Sequence, residues 1–226
     1  MHPFVHLHVH SQYSLLDGQA SIQRLVDKAM NDGMPAIALT DHGAMYGIKE
    51  FLNYCNKKNG PHKTEIAKLR KEIDSLKNED DSTGRKAALQ QQLQAAEQKL
   101  FKPIVGCECY LARRDRFSQS EKIDGSGWHL VVLAKNLTGY KNLVKLVSKS
   151  WTEGFYYRPR IDKELLEQYS EGLIVSSACL GGEISRKVDS GQINDAEEAV
   201  QWYKRVFGDD YYLELQRHKT NRPDAD

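Results

Sequence analysis

Cysteine is scarce: 226 residues contain Cys55, Cys107, Cys109 and Cys179 and no others. Their spacing makes neither a disulfide framework nor a Cys-x-x-Cys pair, which predicts reduced thiols with at most one of them functional. A run of about 18 apolar residues is missing, as is a basic-then-apolar leader ending in small residues. Both absences argue against membrane insertion and secretion and make the cytoplasm the expected compartment. Net charge is missing as well, since 32 basic and 31 acidic side chains leave +1. No overall basic field announces nucleic acid, and any contact with DNA depends on a local patch. What remains is 40% hydrophobic and 28% charged, enough for one soluble globular domain with a sizeable core.

Strand-like apolar segments alternate with helix-like ones, which predicts an α/β architecture with largely parallel strands. Six strands are expected, at Phe4–Val9, Pro35–Thr40, Pro103–Ala112, Trp128–Ala134, Gly172–Ser177 and Asp210–Gln216. Ser21 can cap a helix whose apolar face is Ile22, Leu25, Val26 and Ala29, and Gly33 can end it. Further helices are expected over Tyr46–Asn59, Thr138–Trp151, Asp162–Tyr169 and Asn194–Phe207. A barrel suits this repeat better than an open sheet.

Residues 63–100 stand apart. Ile66, Leu69, Ile73 and Leu76, then Leu89, Leu93, Ala96 and Leu100, keep three- and four-residue spacings, broken by Asn78–Gly84. This predicts an inserted antiparallel helical hairpin with a polar turn at Asp80–Gly84, either a solvated structural arm or a partner-binding one.

The chemistry begins at His6-Leu7-His8-Val9-His10, which places three imidazoles at alternate positions of an expected strand, hence on one face. A single histidine on such a face fits a hydrogen-bonded core residue; three converging rings are hard to satisfy without a metal or a solvent-filled pocket. His8 and His10 are the candidate ligands, and His6 is a candidate supporting residue. Asp17 follows in a turn-like segment, and mixed nitrogen and oxygen donors suit zinc, manganese or iron. Thr40-Asp41-His42-Gly43 ends the second expected strand, where a barrel strand opens onto its functional face. Alone it fits a capped turn; beside the first cluster, His42 is a candidate ligand and Asp41 a support for it. Taken alone, Glu108 fits a salt-bridged strand carboxylate and Cys179 a small buried hydrophobe. Alternation puts Glu108 on the face opposite Cys107 and Cys109.

The stretch from Phe4 to Gly18, with Tyr13-Ser14-Leu15-Leu16-Asp17-Gly18, and the stretch from Gly33 to Gly43 resemble the PHP (polymerase and histidinol phosphatase) domain that opens the bacterial DNA polymerase III alpha subunit. The resemblance resumes at Lys102–Glu108, Gly139–Leu143, Gly154–Arg160 and Ser177–Gly181, and so covers nearly everything except the arm. It implies a distorted (β/α)7 barrel and a ligand set of His8, His10, Asp17, His42, Glu108, His129 and Cys179. It also implies up to three divalent ions, zinc and/or manganese, with the thiolate of Cys179 favouring zinc. His8, His10, Asp17 and Glu108 would act through those ions.

The implied activity is 3′→5′ exonuclease proofreading at a DNA primer end, with the rest of the polymerase subunit and other replisome subunits as partners. A catalytically silent docking domain, or a standalone phosphatase, are the alternatives. One departure stands out: the family's Asn-Asp-x-His-like segment at the seventh strand has no counterpart after Leu213–Gln216, so the chain reads as a fragment truncated before that strand. His218 matches no ligand motif and is assigned to solvent or a phosphate contact. Arg113, Arg114, Arg116 and the segment with Tyr156, Tyr157, Arg158 and Arg160 can meet DNA, or can simply face solvent or other domains.

Overall fold

The computed structural model describes residues 4–76 and 84–216. Residues 80–83 of the expected turn and His218 lie outside them. The architecture is mixed α/β. Strands β1 (Ala36–Leu39), β2 (Lys102–Leu111), β3 (Trp128–Ala134), β4 (Phe155–Tyr156), β5 (Arg158–Ile161), β6 (Leu173–Ser176) and β7 (Tyr211–Tyr212) form one sheet. Its path is β4-β5-β2-β3-β6-β7, with β1 paired to β2 beside β5.

The expectation of largely parallel strands needs one correction. β1 and β5 run with β2, but β3 runs against both β2 and β6, while β7 again runs with β6. The reason is the connection: between β2 and β3 stands only the one-turn α5 (Glu121–Asp124), too short to cross over the sheet as a parallel pairing requires. The reversal has a functional result. The carboxyl ends of β1, β6 and β7 share one end of the sheet with the amino end of β3.

The predicted first strand is also corrected. Phe4–His10 carries no regular strand and bends at His8. It still lies along β1, through Ala38 N–H to His6 O (2.9 Å) and Thr40 N–H to Val9 O (2.9 Å). The Thr40 hydroxyl takes the Val9 N–H at 2.7 Å, so a side chain replaces a ladder rung. At the other end only Tyr211–Tyr212 of the expected Asp210–Gln216 strand pairs, because the Ser177 hydroxyl captures the Glu214 N–H at 2.9 Å.

The helices follow their caps. α1 (Ile22–Asn31) begins at Ser21, α6 (Leu137–Thr152) at Asn136 and α7 (Lys163–Gln168) at Asp162, each side chain accepting a first-turn N–H. One core packs Cys107, Cys109, Leu111, Leu130 and Val132 of the sheet against α6, α7 and α9 (Ile193–Phe207). A second packs Ile37 and Leu39 of β1 against α1 and α2 (Ile48–Lys58). The β4–β5 hairpin, with Tyr157 at φ 57°, and α8 (Glu183–Asp189) are elements outside those expected from the sequence.

The arm consists of α3 (Gly60–Ser75) and α4 (Arg85–Gln98), held by their own small core of Ile66, Leu69, Leu89 and Ala96. The Arg70–Glu97 ion pair, at 2.7 Å, joins the two helices. At its base the buried Asn59 side chain donates to Phe101 O (2.8 Å) and accepts from Phe101 N–H (2.9 Å), closing the insertion on the body.

Candidate metal centre

The centre is assembled by a loop that Asp41 organises. The Asp41 carboxylate is buried and accepts from Ser11 N–H (2.6 Å), Ser11 Oγ (2.9 Å) and Ser14 Oγ (2.8 Å). Ser14 Oγ in turn takes the His42 N–H at 3.1 Å. Gly18 lies so close to the Ser11 carbonyl that a Cβ there would overlap it. The loop is thereby tied to the end of β1, and Asp17 meets His42, with Oδ2 and Nε2 at 2.8 Å.

Glu108 is the hub. It lies on β2, 1% exposed, and Glu108 N–H donates to Asp41 O (3.1 Å) while Glu108 O accepts from Gly43 N–H (2.8 Å). This extends the β1–β2 pairing to His42, whose Nδ1 lies against Glu108 Oε2. His8 Nε2 approaches Oε1 at 3.3 Å, His10 Nε2 approaches Oε2 at 3.6 Å and His129 Nδ1 approaches Oε1 at 2.5 Å. Cys179 Sγ is 3.6 Å from His129 Nδ1. It follows β6 in a turn where Ala178 takes φ 59° and Gly181 N–H donates to the sulfur at 3.4 Å. His129 stands at the amino end of β3 and joins the carboxyl ends of the other strands only because β3 is reversed.

Two groups of donors result, His8 with His10 and Glu108, and Glu108 with His129 and Cys179; within each, the donor atoms lie within 4.8 Å of one another. Their contacts are close yet misaligned for hydrogen bonds. His8 Nε2, His10 Nδ1, His42 Nδ1 and both Glu108 oxygens are buried with no hydrogen-bond partner among the described residues. Five buried polar atoms without partners are costly when nothing lies between them. Convergent imidazole, carboxylate and thiolate donors fit divalent cations well.

The electrostatics agree with crowding around one carboxylate. Burial pushes the Glu108 carboxyl up, but His129, His42 and His8 bring it net well below its ordinary range. Burial lowers His8, yet Glu108 and Glu214 carry it up to about 10. His129 is pushed up to about 9 by Cys179 and Glu108. Burial raises the Cys179 thiol, and His129 outweighs it, leaving the thiol below its usual value.

Two functional neighbours escape sequence reasoning. Glu214, just past β7, holds His8 Nδ1 at 2.9 Å and accepts from Ser176 Oγ at 2.7 Å, an orienting carboxylate behind a candidate ligand. Its signal was no more than a carboxylate in an expected strand. Tyr110 lies two residues beyond Glu108 on the same face, stacked on His42 at 6.2 Å and edge-on to His129 at 5.3 Å. Alternation could have found it.

His6 is exposed and its ring meets Phe4 at 4.8 Å, so the bend at His8 carries it away from the hub. Arg116 and Arg160 are corrections too. Arg116 is buried on Asp162 (2.9 Å) and Glu153 (3.0 Å). Arg160 is 0% exposed and donates to Gly154 O, Asp124 O and Arg116 O. Both guanidinium groups are thus committed to partners inside the fold. Arg114 is paired with Asp124, whereas Arg113, Tyr157 and Arg158 are exposed, Tyr156 partly so, and Arg158 donates to the Tyr110 hydroxyl at 3.2 Å.

The profile of the PHP domain family matches residues 6–218. The chain is similar to the DNA polymerase III subunit alpha of Borreliella burgdorferi, 43% identical over 216 residues that make up 95% of this chain and 15% of that protein. The Treponema pallidum protein of the same name is 42% identical over 217 residues, again 95% of this chain and 15% of the relative. That of Deinococcus radiodurans is 36% identical over 234 residues, 97% of this chain and 14% of the relative. The chain thus spans about 15% of the length of these relatives. With the match covering nearly all of its residues, the chain belongs to the PHP domain family.

Proposed function

We propose that residues 1–226 are the PHP domain of a DNA polymerase III alpha subunit, with 63–100 as a solvated structural arm inserted in it, acting in DNA replication in the cytoplasm. Its centre is read as a metal-dependent phosphoesterase that removes nucleotides from the 3′ end of a DNA primer. The observation that carries this reading is the buried convergence of His8, His10, His42 and His129 on Glu108 without hydrogen bonds. The sheet is read as a distorted barrel: the Phe4–His10 segment lies on β1, and His8 meets Glu214 beyond β7, so the two ends of the path approach each other.

His8, His10 and Glu108 would hold one divalent ion and Glu108, His129 and Cys179 another, and the His42–Asp17 pair would be the place for a third. The thiolate favours zinc and the carboxylates tolerate manganese. When bound, such ions supply Lewis acidity and a water that ionises near neutral pH. Glu214 fixes the His8 ring, Asp41 fixes the loop that brings Asp17, and Tyr110 walls His42 and His129 from the β5 side. The remaining domains of the subunit and other replisome subunits are its partners.

A 3′-exonuclease assay on a labelled primer, with manganese or zinc supplied and then chelated, tests this. Metal-dependent release of nucleoside monophosphates, lost in the His8→Ala/His10→Ala double variant, is the expected result. A folded, metal-loaded protein that releases none would make the metals structural, and phosphate release from histidinol phosphate instead would point to a small-molecule phosphatase.

A further inference from the structure

His129 faces a second neighbourhood besides Glu108. It borders a cavity of about 650 Å³ whose lining includes Arg113, Trp128, Arg186, Lys187 and Asp195. Two cations lie near the Trp128 ring, with the Arg113 guanidinium carbon 5.8 Å and Lys187 Nζ 5.3 Å from its centroid. Lys187 is held there by Glu183 Oε1 at 2.8 Å, an oxygen it shares with Lys163, and by Asp195 O at 3.3 Å. Arg113 and Arg186 are exposed, and among the described residues neither has a carboxylate partner; Arg113 donates to the Ser126 hydroxyl at 3.5 Å. This contrasts with the nearby Arg114 and Arg116, each of which is ion-paired.

Uncompensated guanidinium forks match the oxygens of a phosphate. The walls are concave and lead directly to a candidate ligand. Asp195 is the one carboxylate among those residues.

We propose that this cavity is an anion subsite receiving a phosphodiester of the single-stranded nucleic acid, next along the strand from the bond held at the metal centre, with Arg113 and Arg186 as its donors. The proposal rests on the phosphoesterase reading and names how that site engages its substrate. Phosphate contacts of this kind position a strand without reading its sequence.

The test is fluorescence anisotropy of a labelled single-stranded oligodeoxynucleotide against the 226-residue chain in chelator, so that no turnover occurs. Metal content of the same proteins, loaded with manganese or zinc, is measured in parallel. The Arg113→Gln/Arg186→Gln variant should bind on the order of tenfold more weakly at low salt, with the slope of log affinity against log salt reduced by about 1.4 for two lost contacts. The Arg113→Lys/Arg186→Lys variant should recover most of that slope. Inorganic phosphate should compete with the oligonucleotide on wild type far more effectively than on the Gln variant. Unchanged affinity in the Gln variant would overturn the subsite and leave the metal reading standing. A wild type that binds no oligonucleotide would also overturn the subsite, and its metal content would then decide separately whether the metal reading falls.

Discussion

At the scale of single residues, the roles of Glu108 and Glu214 are separable although both are carboxylates against His8. Glu108 presents both oxygens, without hydrogen bonds, to three or more ring nitrogens, whereas Glu214 is spent on His8 Nδ1 and Ser176 Oγ. Removing a shared ligand and removing an orienting group therefore differ in kind. Glu108→Ala should abolish tight metal binding, while Glu214→Ala should weaken it about 10–100-fold, read by competition with a chelator. Of these two, Glu108 was expected as a ligand only through the family resemblance, since alternation by itself did no more than place it opposite Cys107 and Cys109, which are buried in the core. Glu214 was not, because its position depends on a ladder that ends at Tyr212 and on the bend at His8, and neither leaves a pattern in the sequence. A second prediction concerns Asp124, away from the metal centre. Arg114, and then the Ser120 N–H, hold its carboxyl below the ordinary aspartate range against the opposing pull of burial. A depressed carboxyl contributes stability that is full above the unfolded value of about 3.9 and is lost as pH falls through the folded one. Asp124→Asn should therefore be less stable than wild type at neutral pH, with the difference shrinking below about pH 4 in thermal melts.

At the scale of elements, capping residues and hydrophobic spacing made several helices legible almost to the residue. α6, α7 and α9 start within one residue of expectation, because Asn136 and Asp162 cap by their side chains and the spacing of Ala196, Ala199 and Tyr203 fits one buried face. The arm was legible for the same reason, although its first helix starts three residues earlier, at Gly60, with Pro61 accommodated in the first turn. Strand direction was not legible, since the sense of β3 depends on the length of what precedes it rather than on any residue within it. The arm has its own core and a local hydrogen-bonded base, so its removal is expected to leave the site intact. Replacing Gly60–Leu100 by a short turn joining Asn59 to Phe101 should leave metal stoichiometry unchanged. By contrast, Asn59→Ala in the full chain leaves the buried N–H and carbonyl of Phe101 without their partner and should cost roughly 2–4 kcal/mol in denaturant unfolding. A large loss of metal on arm removal would show that the arm supports the centre after all.

At the scale of the whole molecule, the candidate centre joins segments remote in sequence. His8 comes from the first described residues, Glu108 from the middle strand, Cys179 from the turn after β6, and Glu214 from the last described residues. Beyond β7, the contact from Glu214 to the N-terminal segment is made by side chains rather than by a ladder. Metal ions that bind only the folded state should therefore act as a clasp across the end of the sheet. At one hundred times the dissociation constant they add about 2.7 kcal/mol, which for a domain of this size raises the melting temperature by roughly 5–10 °C. The gain should also be localised. Hydrogen exchange after chelation should accelerate at 4–18, 177–182 and 211–216, where irregular backbone depends on the site, and stay unchanged in α3 and α4, whose core is their own. Uniform acceleration along the chain would instead mean that the ions stabilise the fold globally, and no change anywhere would mean that the buried cluster around Glu108 holds itself together without them.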